Sequence, residues 1–161
     1  MRTIEYTEVQ RVDSIWPLAI LTITLVFNWF LYFVQGYQDM DLFYGSMFSI
    51  AIICTFFALV RLDTKINNES VRYKLFPFHW KWRNINWRDI EKSEIRTYKP
   101  LKEYGGWGLQ FGKSGNACTI KGNEGLQINI KNGKKILIGT NNATALEEVL
   151  AKIKNSGAIK F

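Results

Sequence analysis

IWPLAILTITLVFNWFLYFV (residues 15–34) and LFYGSMFSIAIICTFFALV (residues 42–60) decide how the rest of this chain is read. Neither run contains Lys, Arg, Asp or Glu. Each is about as long as the ~20 residues a helix needs to cross the ~30 Å hydrocarbon layer of a bilayer. Their reading as a two-helix transmembrane hairpin sets three segments: a lead over residues 1–14, the hairpin over 15–62, and a basic domain over 63–161.

Charge separates these parts sharply. Of 21 Lys and Arg residues, Arg2 and Arg11 precede the first apolar run and the remaining 19 start at Arg61. From Asp63 onward, 18 basic residues face 9 acidic ones, a net +9. A small domain this basic is drawn to anionic surfaces, phospholipid or nucleic acid. Arg61 and Lys65 follow the second run, whereas Asp39 and Asp41 stand in the turn between the runs. The positive-inside rule then puts both termini in the cytoplasm and the acidic turn outside, for a multi-pass protein of the inner membrane. Trp16, Tyr32 and Tyr37 would mark the interfaces.

Within the hairpin, Asn28 is the polar exception. A turn centred near Asp39 pairs residues whose numbers sum to about 77, which places Asn28 near Ser49. Gly45 and Ser49 have small-xxx-small spacing, so Asn28, Gly45 and Ser49 are the candidate helix–helix interface.

After Asp63 the apolar period becomes two. Val71, Tyr73 and Leu75 alternate with Arg72 and Lys74 beyond the turn Asn67-Asn68-Glu69, as in a hairpin with one solvated face. Residues 85–90 and 94–99 are expected to form a further strand pair. In the last hairpin, Leu126 faces Ile138 and Ile128 faces Ile136 only if the loop has odd length, which Lys131-Asn132-Gly133 supplies with Gly133 left-handed. Leu146, Val149, Leu150 and Ile153 then lie on one helical face, capped by Asn142 or by Thr144 with Glu147. The expectation is an α+β membrane protein: the hairpin, an antiparallel sheet or open barrel of about seven strands, and a C-terminal amphipathic helix.

That order resembles pleckstrin-homology (PH) architecture. Glu69-x-Val71-x-Tyr73-x-x-x-Pro77-Phe78, Ile85-x-Trp87-x-x-Ile90, Tyr104-Gly105-Gly106-Trp107-Gly108, Gly125-Leu126-Gln127 and Gly139-Thr140 resemble bacterial PH-like membrane proteins. The resemblance extends to Glu8-Val9-Gln10-Arg11 and implies a two-helix hairpin carrying one cytosolic PH-like domain. It implies little about activity, because that family is poorly characterised. PH domains that bind phosphoinositides carry basic residues on their first two strands, and Lys65, Arg72 and Lys74 stand in comparable places. The short, non-basic loop 67–69 argues against a deep inositol-phosphate pocket.

The most suggestive run in the domain interleaves Phe76, Phe78, Trp80 and Trp82 with His79, Lys81 and Arg83, aromatic and cationic groups suited to an anionic surface. A second candidate is the glycine turn: bare amides at Gly105 and Gly106 beside Trp107 could make an anion nest with Lys102 and Lys113. The competing reading is structural, with the glycines supplying positive φ and Trp107 folding onto the barrel. Gly112-Lys113-Ser114 is not a phosphate loop, because Trp107 stands where the first glycine of that motif belongs.

Cys54 and Cys118 are read as reduced packing residues, and no metal-ligand spacing occurs. His79 has no nucleophile beside it, so no catalytic residue and no cofactor are expected. The functional expectation is a membrane-anchored, non-enzymatic binding or adaptor module for a protein partner or an anionic lipid headgroup. Its alternative is a structural subunit of an oligomeric membrane complex with the hairpin as interface, ahead of a transporter component or enzyme. Nucleic acid is disfavoured as a partner.

Overall fold

The computed structural model describes residues 5–12, 15–35, 40–112 and 114–155. Side chains are described over the same residues except 15–17, 32, 35 and 40–43. The chain divides into two compact units, residues 1–10 with 61–161, and residues 11–60.

In the second unit the apolar runs form helices α1 (Ile15–Gln35) and α2 (Met40–Leu59). Among the described residues, no helix is long and apolar enough to cross a membrane. The expected transmembrane hairpin is corrected accordingly. With it go the classification as a membrane protein, the inner-membrane location and the cytoplasmic placement of both termini. Most of the acidic turn, 36–39, lies outside the described residues, as does the Asp41 side chain.

The polar contact between these helices also differs from expectation. Ser46 Oγ donates to Asn28 Oδ1 at 2.7 Å, while Asn28 Nδ2 donates to the Thr24 carbonyl at 2.8 Å. Ser49, the expected partner, donates instead to the Gly45 carbonyl one turn back. A Cβ added at Gly45 would meet nothing within 4 Å, so close backbone approach does not require that glycine. Ile23, Val26 and Phe33 are among the large side chains left exposed, at 69%, 69% and 74%.

The first unit is a β-rich domain of nine strands among the described residues, arranged in two sheets. The four-stranded sheet contains β1 (Glu5–Arg11), β2 (Arg61–Asn67), β3 (Ser70–Phe76) and β4 (Arg83–Asn86), paired in that order. Strands β5 (Ile90–Thr97), β6 (Gly108–Gly112), β7 (Gly115–Thr119), β8 (Glu124–Ile130) and β9 (Lys135–Gly139) form the other, in the order β5-β8-β9-β7-β6. Helix α3 (Ala143–Asn155) follows.

Three features correct the expected seven-stranded antiparallel PH-like barrel. First, β7 and β9 run parallel, with Ala117 opposite Leu137, so the second sheet is mixed. Second, residues 83–86 and 90–97 do not pair with each other. A single 3-10 turn at Trp87–Asp89 sends them into different sheets, anchored by the buried Trp87 indole donating to the Asn67 carbonyl at 2.7 Å. Third, the N-terminal lead supplies β1, whose inward Gln10 is 1% exposed and donates through Nε2 to the Gly139 carbonyl.

Local patterning accounts for the rest. Alternation on β2 and β3 buries Leu62, Thr64 and Ile66 with Val71, Tyr73 and Leu75, leaving Lys65 and Arg72 outside. The last hairpin takes the expected register, Leu126 opposite Ile138 and Ile128 opposite Ile136, with Gly133 at φ 83°. Asn142 caps α3, its Oδ1 accepting from the Ala145 amide at 3.1 Å, and Leu146 and Ile153 are buried beneath it.

Candidate functional site, a basic and aromatic sheet face

Antiparallel pairing of β2 with β3 places Lys65 opposite Arg72, Asp63 opposite Lys74 and Arg61 opposite Phe76. Directly opposed residues share a face, so Arg61, Lys65, Arg72 and Lys74 all lie on the side away from the Leu62–Val71–Leu75 core. Asp63 is the acidic residue among them, 8% exposed and paired with Arg61 Nε at 3.3 Å. Lys74 stands opposite the same carboxylate, while Lys65 and Arg72 have no ion pair among the described residues.

Aromatic rings organise these cations. The Lys65 ammonium stands 5.6 Å from the Trp82 ring centroid, Lys74 lies 5.7 Å from Phe76, and the Arg61 guanidinium 6.0 Å from the same ring. Trp80 meets Phe76 edge-on at 5.9 Å. Each cation–ring contact contributes about 0.5–1 kcal/mol at an exposed site and restrains a long side chain. Trp80 remains 79% exposed and Trp82 41% exposed.

The turn after β3 builds this arrangement. The Phe76–Pro77 peptide is cis, and the His79 amide returns to the Leu75 carbonyl at 2.7 Å. His79 Nδ1 accepts from the Leu75 amide at 3.4 Å, and its ring meets Tyr73 edge-on at 6.0 Å. Burial, then the nearby Arg83 charge, lowers the His79 pKa below its ordinary value. Burial raises Tyr73 to about 12. Arg83 pairs opposite Tyr73 and therefore shares the inner face with it. The aromatic–basic run thus splits: Phe76, Trp80 and Trp82 join Lys65 and Lys74, while His79 and Arg83 turn toward Tyr73. Phe78 is 49% exposed, and Lys81 is also exposed.

The glycine turn sits elsewhere in the domain. A short π-helical turn, Pro100–Tyr104, ends at Gly105 with φ 79°. The Gly105 amide donates to the Leu101 carbonyl and the Gly106 amide to the Pro100 carbonyl, at 3.2 and 3.1 Å. These bonds occupy the two amides an anion nest would use. The Trp107 indole donates to the Gly122 carbonyl at 2.8 Å. Lys102 is exposed on this turn, away from the β2–β3 register, and Lys113 lies outside the described residues. Behind the turn, Arg96 bonds Glu103 at 2.8 Å and also the Tyr104 hydroxyl and Gln127 Oε1, both at 3.2 Å. That hydrogen bond and the Lys99 amide hold the Glu103 carboxyl below the usual carboxylate range.

In the sequence Arg61 marks the end of the second apolar run and bears on its orientation, and it is not among the expected site residues. Its place on the sheet face follows from the same period-two pattern read two residues earlier. Among the described residues, no three His, Cys, Asp or Glu side chains gather as a metal centre.

No protein-family model matches this chain, and no curated protein matches it in sequence. The resemblance to bacterial PH-like proteins therefore rests on the quoted residues alone.

Proposed function

We propose that the β-rich domain is a non-enzymatic binding module whose β2–β3 face receives an acidic segment of a protein partner. The observation that carries this reading is the row Lys65, Arg72 and Lys74 on one solvent-facing surface, with Trp82 beneath Lys65 and Phe76 beneath Lys74. Ring-held ammonium groups are partly preorganised, which lowers the entropy cost of binding. The face is built on strands, and its neighbouring loop is closed tightly by Asn67 Oδ1 accepting from the Glu69 and Ser70 amides. A flat, rigid surface of this kind suits an extended carboxylate-bearing chain better than a compact polyphosphate.

The test titrates the full chain with a hexaglutamate peptide and follows tryptophan emission across salt. Trp80 and Trp82 should report the event, and the Lys65→Glu/Lys74→Glu variant should bind about tenfold or more weakly, since like charges across an interface suppress binding. Phosphatidylglycerol vesicles and a single-stranded oligonucleotide serve as comparison ligands. Equal loss of peptide binding on reversing Lys102 would overturn the assignment to this face. Binding to the vesicles or the oligonucleotide without the peptide would overturn the proposed partner class.

A further inference from the structure

Among the described residues the two sheets end in four edge strands, β1 and β4 in one and β5 and β6 in the other. Natural sheets guard such edges with charge, proline or bulges, because unpaired amides and carbonyls recruit other strands. β1 carries Glu5, Glu8 and Arg11, and β4 carries Arg83. β5 carries Glu91, Lys92, Glu94 and Arg96 together with a bulge between Ile90 and Lys92. β6 reads Gly108-Leu109-Gln110-Phe111-Gly112 and has none of these devices. Its apolar surroundings are open: Phe111 is 72% exposed, Leu101 70% and Trp107 46%.

We infer that β6 is a self-pairing edge that joins two copies of this chain antiparallel across a two-fold axis at Gln110. The strand is self-complementary in that register. Gln110 meets its own copy, Leu109 meets Phe111, and Gly108 meets Gly112. An isologous contact needs one patch to complement itself, and here no charge meets a like charge within the strand. Leu109 and Phe111 alternate with Gln110, so the apolar pairs share one face and the amide pair takes the other. Five residues per copy make a small interface, and the association is concentration-dependent.

Register-specific crosslinking of the full chain tests this, in a Cys54→Ser background with the buried Cys118 retained. Opposed residues bring Cβ atoms to ~5 Å, near the ~3.8 Å of a disulfide. Gln110→Cys should oxidise to a covalent dimer at least tenfold faster than an exposed control, Asn123→Cys. Leu109→Cys and Phe111→Cys should crosslink poorly alone and well when mixed. Tryptophan emission matching the parent chain shows that each variant is folded. Gln110→Cys dimerising no faster than Asn123→Cys would overturn the proposal. So would equal rates for the three β6 variants alone, which indicate collision rather than pairing.

Discussion

The carboxylate of Glu8 is bound by Thr140 and by the amide of Asn141, more than 130 residues further along the chain. Glu8 Oε2 accepts from the Thr140 hydroxyl at 2.8 Å and from Tyr6 at 2.7 Å, and Oε1 accepts from the Asn141 amide at 2.7 Å. Thr140 Oγ1 in turn accepts from the Asn142 amide, one residue before α3 begins. The first strand therefore orders the start of the last helix. Hydrogen bonds to charged groups contribute about 1.5–3 kcal/mol each. Glu8→Ala should cost about 2–4 kcal/mol in urea unfolding, and Glu8→Gln about half as much, because the amide oxygen keeps one acceptor. An unchanged midpoint in Glu8→Ala would mean that β1 is held without this network.

That contact also shows where sequence reading stopped. Leu126–Ile138 and the Asn142 cap were legible because each depends on residues a few positions apart, where period and turn chemistry act. β1 was not, because Glu5-Tyr6-Thr7-Glu8-Val9-Gln10-Arg11 has a weak alternation and its partners lie beyond two helices. The parallel β7–β9 pair is likewise a long-range choice among strands that all alternate. Residues 85–90 were misread for a local reason: Trp87 looks like a strand residue, and only its bond to Asn67 shows that the chain turns there. The basic–aromatic run was visible as composition. Which ring lies under which cation required the β2–β3 register and the turn that follows β3.

Acidification should weaken the domain through His79. Its pKa is lowered in the folded protein by burial and then by Arg83, so the unfolded chain takes up the proton first as pH falls. Stability from this group is complete above the unfolded value near 6.5 and declines below it. Protonation of the ring places a hydrogen on Nδ1, the atom that accepts from the Leu75 amide, so the cation loses that bond. The thermal midpoint should fall between pH 7 and pH 5, and His79→Gln, which keeps an acceptor, should flatten that fall. A slope identical in parent and variant would assign the effect to other groups.

Two glycines are required by space, not only by backbone freedom. At Gly115 (φ 105°) an added Cβ would lie 2.5 Å from the Lys135 carbonyl oxygen and 2.6 Å from its Cβ. Gly122 has a comparable φ of 77° but open surroundings. Gly125, at ordinary φ, would meet the Ile138 carbonyl oxygen at 2.8 Å. Gly122→Ala should cost about 1 kcal/mol from its left-handed backbone. Gly115→Ala should cost about 3 kcal/mol or more, adding overpacking against a β9 backbone that cannot yield. Comparable losses at 115 and 122 in denaturant titrations would show that β7 and β9 can spread.

The Cys118 thiol should be chemically silent until the domain opens. It lies on β7 at 2% exposure, between the parallel partner β9 and the β6 edge. Burial pushes its pKa up to about 12, and the thiolate is the reactive form. In a Cys54→Ser chain, Ellman's reagent at pH 8 should label Cys118 only through opening of the domain, and fully in denaturant. Gly115→Ala, which strains the neighbouring β7–β9 contact, should accelerate labelling in proportion to its loss of stability when opening is fast relative to reaction. Rapid labelling of the native parent would mean that β6 detaches independently of the core, and the edge strand would then be too mobile to hold a fixed pairing register.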